Sequence, residues 1–314
     1  MRRLLATALV LMLGTVPAAA IDPAPQFPPI EPPPPTDPNG PDLAYGAFQR
    51  GHYLTAFDEA TKRVNERQDP TAMTLLGLLY AEGLGVPLDP AKAAAWYAQA
   101  AQRGNRDAIF AYGMMKLQGK GTPKDETGAI LLLDKAAAMK VAAASYNLGI
   151  LALRPTNGGP DFATALRRFK EAELGGSPDA AYSLGVLAQE GKGMPADQEL
   201  AAQYFERAAK DGVVDAMVEL AIMLFKGSGV AKDEKAAAAW FEQAAEHGSP
   251  IARNRLARLY AVGQGVEANP VKAGEWYWLA RASGLQDPWL DQFMAAQPKE
   301  VRDAALKGAK AHGL

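Results

Sequence analysis

Residues Ala72–Gly104 read AMTLLGLLYAEGLGVPLDPAKAAAWYAQAAQRG, and this stretch decides the fold. It returns every 36 residues with no insertion or deletion, starting at Ala72, Ala108, Ala144, Ala180, Ala216 and Ala252. Self-similarity at a fixed period of this length marks a stacked array of small units. Five residues after each start comes Gly77, Gly113, Gly149, Gly185, Ala221 or Ala257. Loop glycines follow at Gly83/Gly85, Gly119/Gly121, Gly191/Gly193, Gly227/Gly229 and Gly263/Gly265. Next stand Asp89, Asp125, Asp161, Asp197, Asp233 and Asn269. The bulky pairs are Trp96-Tyr97, Leu132-Leu133, Arg168-Phe169, Tyr204-Phe205, Trp240-Phe241 and Trp276-Tyr277. Five of the six units close on glycine, at Gly104, Gly176, Gly212, Gly248 and Gly284.

Each of these positions has a physical reason. Asp89-Pro90 and Asn269-Pro270 pair a capping side chain with proline at the first helical position, where no amide donor is needed. Asp69-Pro70, Ser177-Pro178 and Ser249-Pro250 do the same for the other helix of each unit. The closing glycines suit left-handed C-terminal caps. Each unit is therefore expected to be helix A (for example Pro70 to Glu82), a glycine loop, helix B (Pro90 to Arg103) and a turn. Small residues let helices approach, and the bulky pairs fill the gap between hairpins, with Trp240 expected in the core. One hairpin cannot bury its apolar face alone, so the units must stack. The expected fold is all-α, a right-handed α/α superhelical solenoid of stacked helix hairpins.

The ends depart from the motif. Residues 42–71 read as a shorter N-terminal capping hairpin, residues 72–287 as six repeats, and residues 288–314 as two C-terminal capping helices. Before them, Arg2-Arg3, the apolar run Leu4 to Val16 and Ala18-Ala19-Ala20 form a three-part leader over residues 1–20. Cleavage near Ala20 would deliver the protein to the periplasm or the exterior. Residues 21–41 form a linker, with ten prolines in the twenty residues Asp22 to Pro41. Such a segment favours extended polyproline II. It reads either as a spacer or as a ligand for a proline-reading partner.

Composition excludes several function classes. With no cysteine, disulfides, thiolate metal sites and cysteine nucleophiles are ruled out. His52, His247 and His312 are far apart in sequence, so no metal or other cofactor is expected. The net charge is −2, or −4 without the leader, with both signs interspersed. No basic stripe points to nucleic acid, and no later segment looks membrane-inserted. No S-x-x-K, K-T-G or G-x-S-x-G occurs, and Gly227-Ser228-Gly229 is an ordinary repeat loop. The G-x-G loops lack the preceding strand that a dinucleotide cradle needs.

Ala72, Gly77, Gly83, Gly85, Val86, Asp89, Ala93, Trp96, Tyr97, Ala100, Ala101 and Gly104 together resemble the motif of the Sel-one-like repeat family, a relative of the tetratricopeptide repeat. The resemblance is strong over Ala72 to Gly284 and weak over Asp42 to Thr71. It implies an α/α solenoid with adaptor roles in signalling or envelope assembly, and names no partner. Repeat three departs from the motif: Arg154-Pro155-Thr156-Asn157-Gly158-Gly159-Pro160 replaces the G-x-G loop, either as a neutral variant or as a local bend or contact. Some secreted relatives staple each hairpin with paired cysteines, which this chain lacks.

By similarity to tetratricopeptide arrays, helix A lines the concave face. Its groove positions in repeats two to five include Phe110, Met114, Leu117, Tyr146, Ile150, Tyr182, Val186, Gln189, Ile222 and Phe225. These are more apolar than a solvated face, as expected of an interaction site. The alternative is that superhelical winding buries them. The resulting expectation is a non-enzymatic periplasmic or secreted scaffold holding a protein or peptide. A peptidoglycan- or glycan-binding envelope protein stands second, and a cell-wall hydrolase-like enzyme third. The sequence leaves the oligomeric state open.

Overall fold

The computed structural model describes residues 42–155 and 158–314, and they fall into two compact units, 42–177 and 178–314. The expected leader and linker lie outside the described residues, as do Thr156 and Asn157 of the repeat-three loop. The described residues form sixteen helices and no strand.

The first unit holds α1 (Leu43–Gln49), α2 (Tyr53–Arg67), α3 (Pro70–Glu82), α4 (Pro90–Gln102), α5 (Arg106–Gln118), α6 (Glu126–Ala138), α7 (Ala142–Ala152) and α8 (Phe162–Leu174). Each helix packs on the next in sequence, so the hairpins stack in chain order. The first hairpin is clamped by Arg63. Its guanidinium pairs with Asp42 at 2.7 Å and with Asp69, and those two carboxylates cap α1 and α3.

The second unit holds α9 (Pro178–Glu190), α10 (Gln198–Lys210), α11 (Val214–Lys226), α12 (Glu234–Glu246), α13 (Pro250–Val262), α14 (Pro270–Ala282), α15 (Pro288–Ala295) and α16 (Lys299–Ala311). Here too consecutive helices pack together as far as α14. The pattern then changes: α16 lies along α14, and α15 touches α13.

The caps fall where the sequence puts them. Asp89, Asp125, Asp161, Asp197 and Asp233 each accept from the amide three residues on, at 2.8–3.0 Å. A second bond fixes the loop ahead of each cap. The Asp89 amide donates to the Tyr80 carbonyl, Asp125 to Lys116, Asp161 to Ala152, Asp197 to Ala188, Asp233 to Leu224 and Asn269 to Tyr260. The partner is nine residues back in every case, including the atypical repeat-three loop. That shared closure gives the loop the same length in all six repeats.

Two glycine positions show why alanine is often absent. A Cβ on Gly121 would lie 2.0 Å from the Pro90 carbonyl oxygen, so the loop of repeat two can rest on the start of α4 only without one. Repeat two also lacks the closing glycine, and Lys140 takes the left-handed conformation there, at φ 64°. That conformation costs a side-chain-bearing residue roughly 1–2 kcal/mol.

The core is built from one member of each bulky pair. Tyr97, Leu133, Phe169, Phe205, Phe241 and Tyr277 are all buried. The first members vary: Tyr204 and Trp276 are buried, whereas Trp96, Leu132, Arg168 and Trp240 are only half-buried. Trp240 thus packs beside the core and not within it, because adjacent residues on a helix point about 100° apart. Each buried aromatic of repeats one, three and four lies against a helix-A glycine. A Cβ would come within 2.7 Å of Tyr97 at Gly77, 2.5 Å of Phe169 at Gly149 and 2.6 Å of Phe205 at Gly185.

Candidate functional site

The helix-A positions divide between the units. In the first unit, Phe110, Met114 and Leu117 of α5 and Ile150 of α7 are buried, and Tyr146 of α7 is half-buried. In the second, Val186 of α9 and Phe225 of α11 are buried, while Tyr182 and Gln189 of α9 and Ile222 of α11 are half-buried. The accessible part of each wall is therefore narrower than the ten positions: Tyr146 in one unit, and Tyr182, Gln189 and Ile222 in the other. Both tyrosines rest on core phenylalanines, Tyr146 on Phe169 with ring centroids 5.6 Å apart and Tyr182 on Phe205 at 5.7 Å. A ring backed in this way loses little rotamer freedom when a partner docks on its outer face.

The second unit carries charge along the same helices. Glu219 of α11 lies beside Gln189 of α9. Burial pushes the Glu219 carboxyl up, and Asp215 and Glu190 add to this, while Gln189 and Lys226 act against it. Burial also raises Asp179, at the start of α9.

Further along, α13 carries Asn254, Arg255 and Arg258, all buried, and Asp287 is buried with them. The Asp287 carboxylate accepts from Arg258 Nε at 2.7 Å, Arg258 Nη2 at 2.6 Å and Asn254 Nδ2 at 2.7 Å. It also caps α15, accepting from the amides of Trp289 and Leu290 at 3.1 and 3.2 Å. This network latches the C-terminal helices to α13. Burial would raise the Asp287 pKa, but the Arg258 and Asn254 hydrogen bonds outweigh it and hold the group below the ordinary 3.8. Burial lowers the Arg255 pKa, the neighbouring charge of Arg258 lowers it further, and Asp287 opposes both.

Glu219, Arg255, Arg258 and Asp287 were not among the residues picked from the sequence. Their signal lay in the repeat alignment. Position three after the repeat alanine reads Leu75, Ala111, Asn147, Ser183, Glu219 and Arg255, so a slot that is buried in the first four repeats becomes ionisable only in the last two, half-buried at Glu219 and buried at Arg255.

No group of three or more His, Cys, Asp or Glu among the described residues is arranged to hold a metal ion. No helix among them is long and apolar enough to cross a membrane.

A family model described as Sel1 repeat matches residues 70–105, 106–141, 178–213, 214–249 and 250–285, more than half of the chain. The atypical stretch 142–177, which holds α7 and α8, is not among the matched segments. Among solved structures, a Sel1 repeat protein from Oxalobacter formigenes is similar at 28% identity and a TM-score of 0.65, over 82% of this chain and 100% of that one. A protective antigen of uropathogenic Escherichia coli displaying an SLR fold is similar at 23% identity and a TM-score of 0.54, over 86% of this chain and 67% of that one. The second likeness is one of fold alone. Comparison with curated proteins gives no match.

Proposed function

The chain belongs to the Sel1 repeat family, and from that premise we propose that it is an extracytoplasmic interaction scaffold of a bacterial envelope, holding a protein or peptide against its A-helix walls. Sel1 repeat proteins generally serve as protein–protein interaction scaffolds, and their fold is generally non-enzymatic. One observation carries the reading: Tyr146 and Tyr182 occupy equivalent places on successive A helices, half-buried and backed by Phe169 and Phe205. Tyrosine is enriched among the few residues that dominate binding at protein interfaces. The leader pattern of Arg2-Arg3, the apolar run to Val16 and Ala18 to Ala20 supports export.

The test is capture from an envelope extract by the tagged chain, with Tyr146→Ala and Tyr182→Ala variants alongside and peptidoglycan sedimentation in parallel. Captured proteins should be lost from both variants while helical content and melting temperature hold. Capture unchanged in the variants removes the walls as the binding surface. Sedimentation with peptidoglycan, abolished by the same substitutions, would assign the walls to glycan instead. N-terminal sequencing of the protein recovered by osmotic shock should begin at Ile21, and retention of Arg2-Arg3 in a cytoplasmic fraction overturns the location.

A further inference from the structure

The first hairpin has a neighbour on one side only: α2 packs on α3, and no helix among the described residues precedes α1. Across its turn runs a strip of aromatic rings. Tyr45 stacks on Phe48 with ring centroids 6.4 Å apart and planes inclined by 19°, and Phe48 lies 5.7 Å from Tyr53 at the start of α2. All three rings are half-buried. Phe48 and Tyr53 are backed by the core of the first unit, whereas Tyr45 is not among the side chains packed on it. The strip ends on two leucines in the open, Leu43 at 56% exposure and Leu54 at 68%. The Tyr45 hydroxyl accepts from Gln49 Nε2 at 2.9 Å, which leaves its own proton for an outside acceptor. Arg50 folds back along α1 until its guanidinium sits beside Gly46. Aromatic surfaces of this kind take polyproline II segments, whose rings lie flat on them and whose carbonyls have no internal partner.

The chain supplies such a segment next to the strip. Residues 21–41 lie outside the described residues and join α1 at its cap, Asp42. They hold Pro32-Pro33-Pro34-Pro35 and then Asp37-Pro38-Asn39-Gly40, with Asp, Pro and Gly at the first, second and fourth places that a type I turn favours. A reversal there sends the four prolines back along α1. The lengths agree, because four prolines in polyproline II span about 12 Å and the seven residues of α1 rise about 10 Å. The charges agree as well: residues 21–41 carry Asp22, Glu31 and Asp37 and no cation, and Arg50 is exposed.

We propose that Pro32 to Pro35 dock on the Tyr45–Phe48–Tyr53 strip of the same chain, Pro35 toward Tyr45 and Pro32 toward Tyr53, with a proline carbonyl accepting from the Tyr45 hydroxyl. Run this way, Glu31 arrives at the end of α1 that carries Arg50. A proline-reading partner then competes with the strip for the segment, and a second copy finds this end of the array covered.

Hydrogen exchange of the full chain, read over residues 43–54, tests this docking. Replacing Pro32, Pro33, Pro34 and Pro35 together by serine should speed exchange there by roughly fivefold or more, the weight of one or two ring contacts. Exchange in α13 and α14 should stay as it was. A synthetic peptide of residues 21–41, added at about millimolar concentration to match a short tether, should restore protection to the serine variant. The same peptide with serine for its four prolines should not. Adding Tyr45→Ala to the serine variant should abolish the rescue. Tyr45 lies outside the core, so the fold should survive, and the melting temperature checks it. If that variant melts early, Leu54→Ser, at an exposed site of the strip, takes its place. Protection in the wild type should not change on dilution. Equal exchange with and without the four prolines, a peptide that restores nothing, or a rescue that survives both strip variants overturns the proposal. Protection lost on dilution would hand the strip to the proline segment of a second copy and overturn docking within one chain.

Discussion

Replacing Gly185 by alanine pits helix propensity against the ring of Phe205. The added Cβ would lie 2.6 Å from Cε1 and 2.7 Å from Cδ1 of that ring, roughly 1 Å inside ordinary carbon contact. Phe205 is 0% exposed and has no solvent to swing into. Overpacking of this kind costs about 1–3 kcal/mol. Alanine in mid-helix returns about 1 kcal/mol over glycine. The net is a loss of roughly 0–2 kcal/mol. Gly113 provides the internal control, since it takes the eighth place of α5 as Gly185 does of α9. Its Cβ would meet Leu132 Cβ at 3.1 Å and Leu133 Cδ2 at 3.5 Å, because repeat two has leucines in place of the ring. There the propensity gain dominates, and Gly113→Ala should be neutral or stabilising by up to about 1 kcal/mol. The propensity contribution cancels between the two, so Gly113→Ala should exceed Gly185→Ala by about 1–3 kcal/mol. Repeats five and six already hold Ala221 and Ala257 here, so alanine is compatible with the hairpin and the cost is that of repacking a ring seated on glycine. Urea unfolding followed by far-UV circular dichroism gives the comparison, with Gly185→Ala/Phe205→Leu as the rescue. Equal midpoints for Gly185→Ala and Gly113→Ala would refute the packing argument.

Three further outcomes are expected. Phe241→Ala should cost about 3–5 kcal/mol, because the ring is 1% exposed, while Trp240→Ala should cost markedly less, and urea midpoints rank the two. Lys140→Gly should stabilise by about 0.5–1 kcal/mol by relieving a left-handed side-chain-bearing residue, measured as a raised unfolding midpoint. Asp287 has its carboxyl held below 3.8, so its stabilisation is complete above that value and lost as pH falls through the lower folded one. Hydrogen exchange across residues 288–311 should therefore accelerate below about pH 4, and Asp287→Asn should flatten that dependence at a cost of about 1–3 kcal/mol at neutral pH.

Much of the fold was legible because helical period, capping chemistry and the 36-residue register agree. Asp89, Asp125, Asp161, Asp197 and Asp233 could be assigned as caps from spacing alone, and each proves to be one. Even Asp287-Pro288, at the end of the last repeat, carries the same cap-and-proline signature. Burial within the bulky pairs was less legible. Trp240 and Phe241 are both apolar neighbours, and which one faces helix A depends on the rotation of helix B about its axis. The walls posed the same difficulty. Offsets from the repeat alanine fix which side of the helix Phe110, Met114 and Tyr146 share, but exposure depends on how adjacent helices cover one another. The Arg258–Asp287 latch joins residues 29 apart on elements of different kinds, a juxtaposition that no periodic pattern records.

The bond from each cap amide to the carbonyl nine residues back gives every loop the same entrance and exit, whatever lies between. Repeat three carries a foreign loop through that closure with its helices still in phase, so the closure acts like a standard joint into which different segments can be fitted. A whole block of 36 residues cut at equivalent joints would leave compatible ends on both sides. Lengthening or shortening the array by one block is then a change of reach and not of architecture, which makes the number of A helices adjustable by duplication or loss of a single genetic segment.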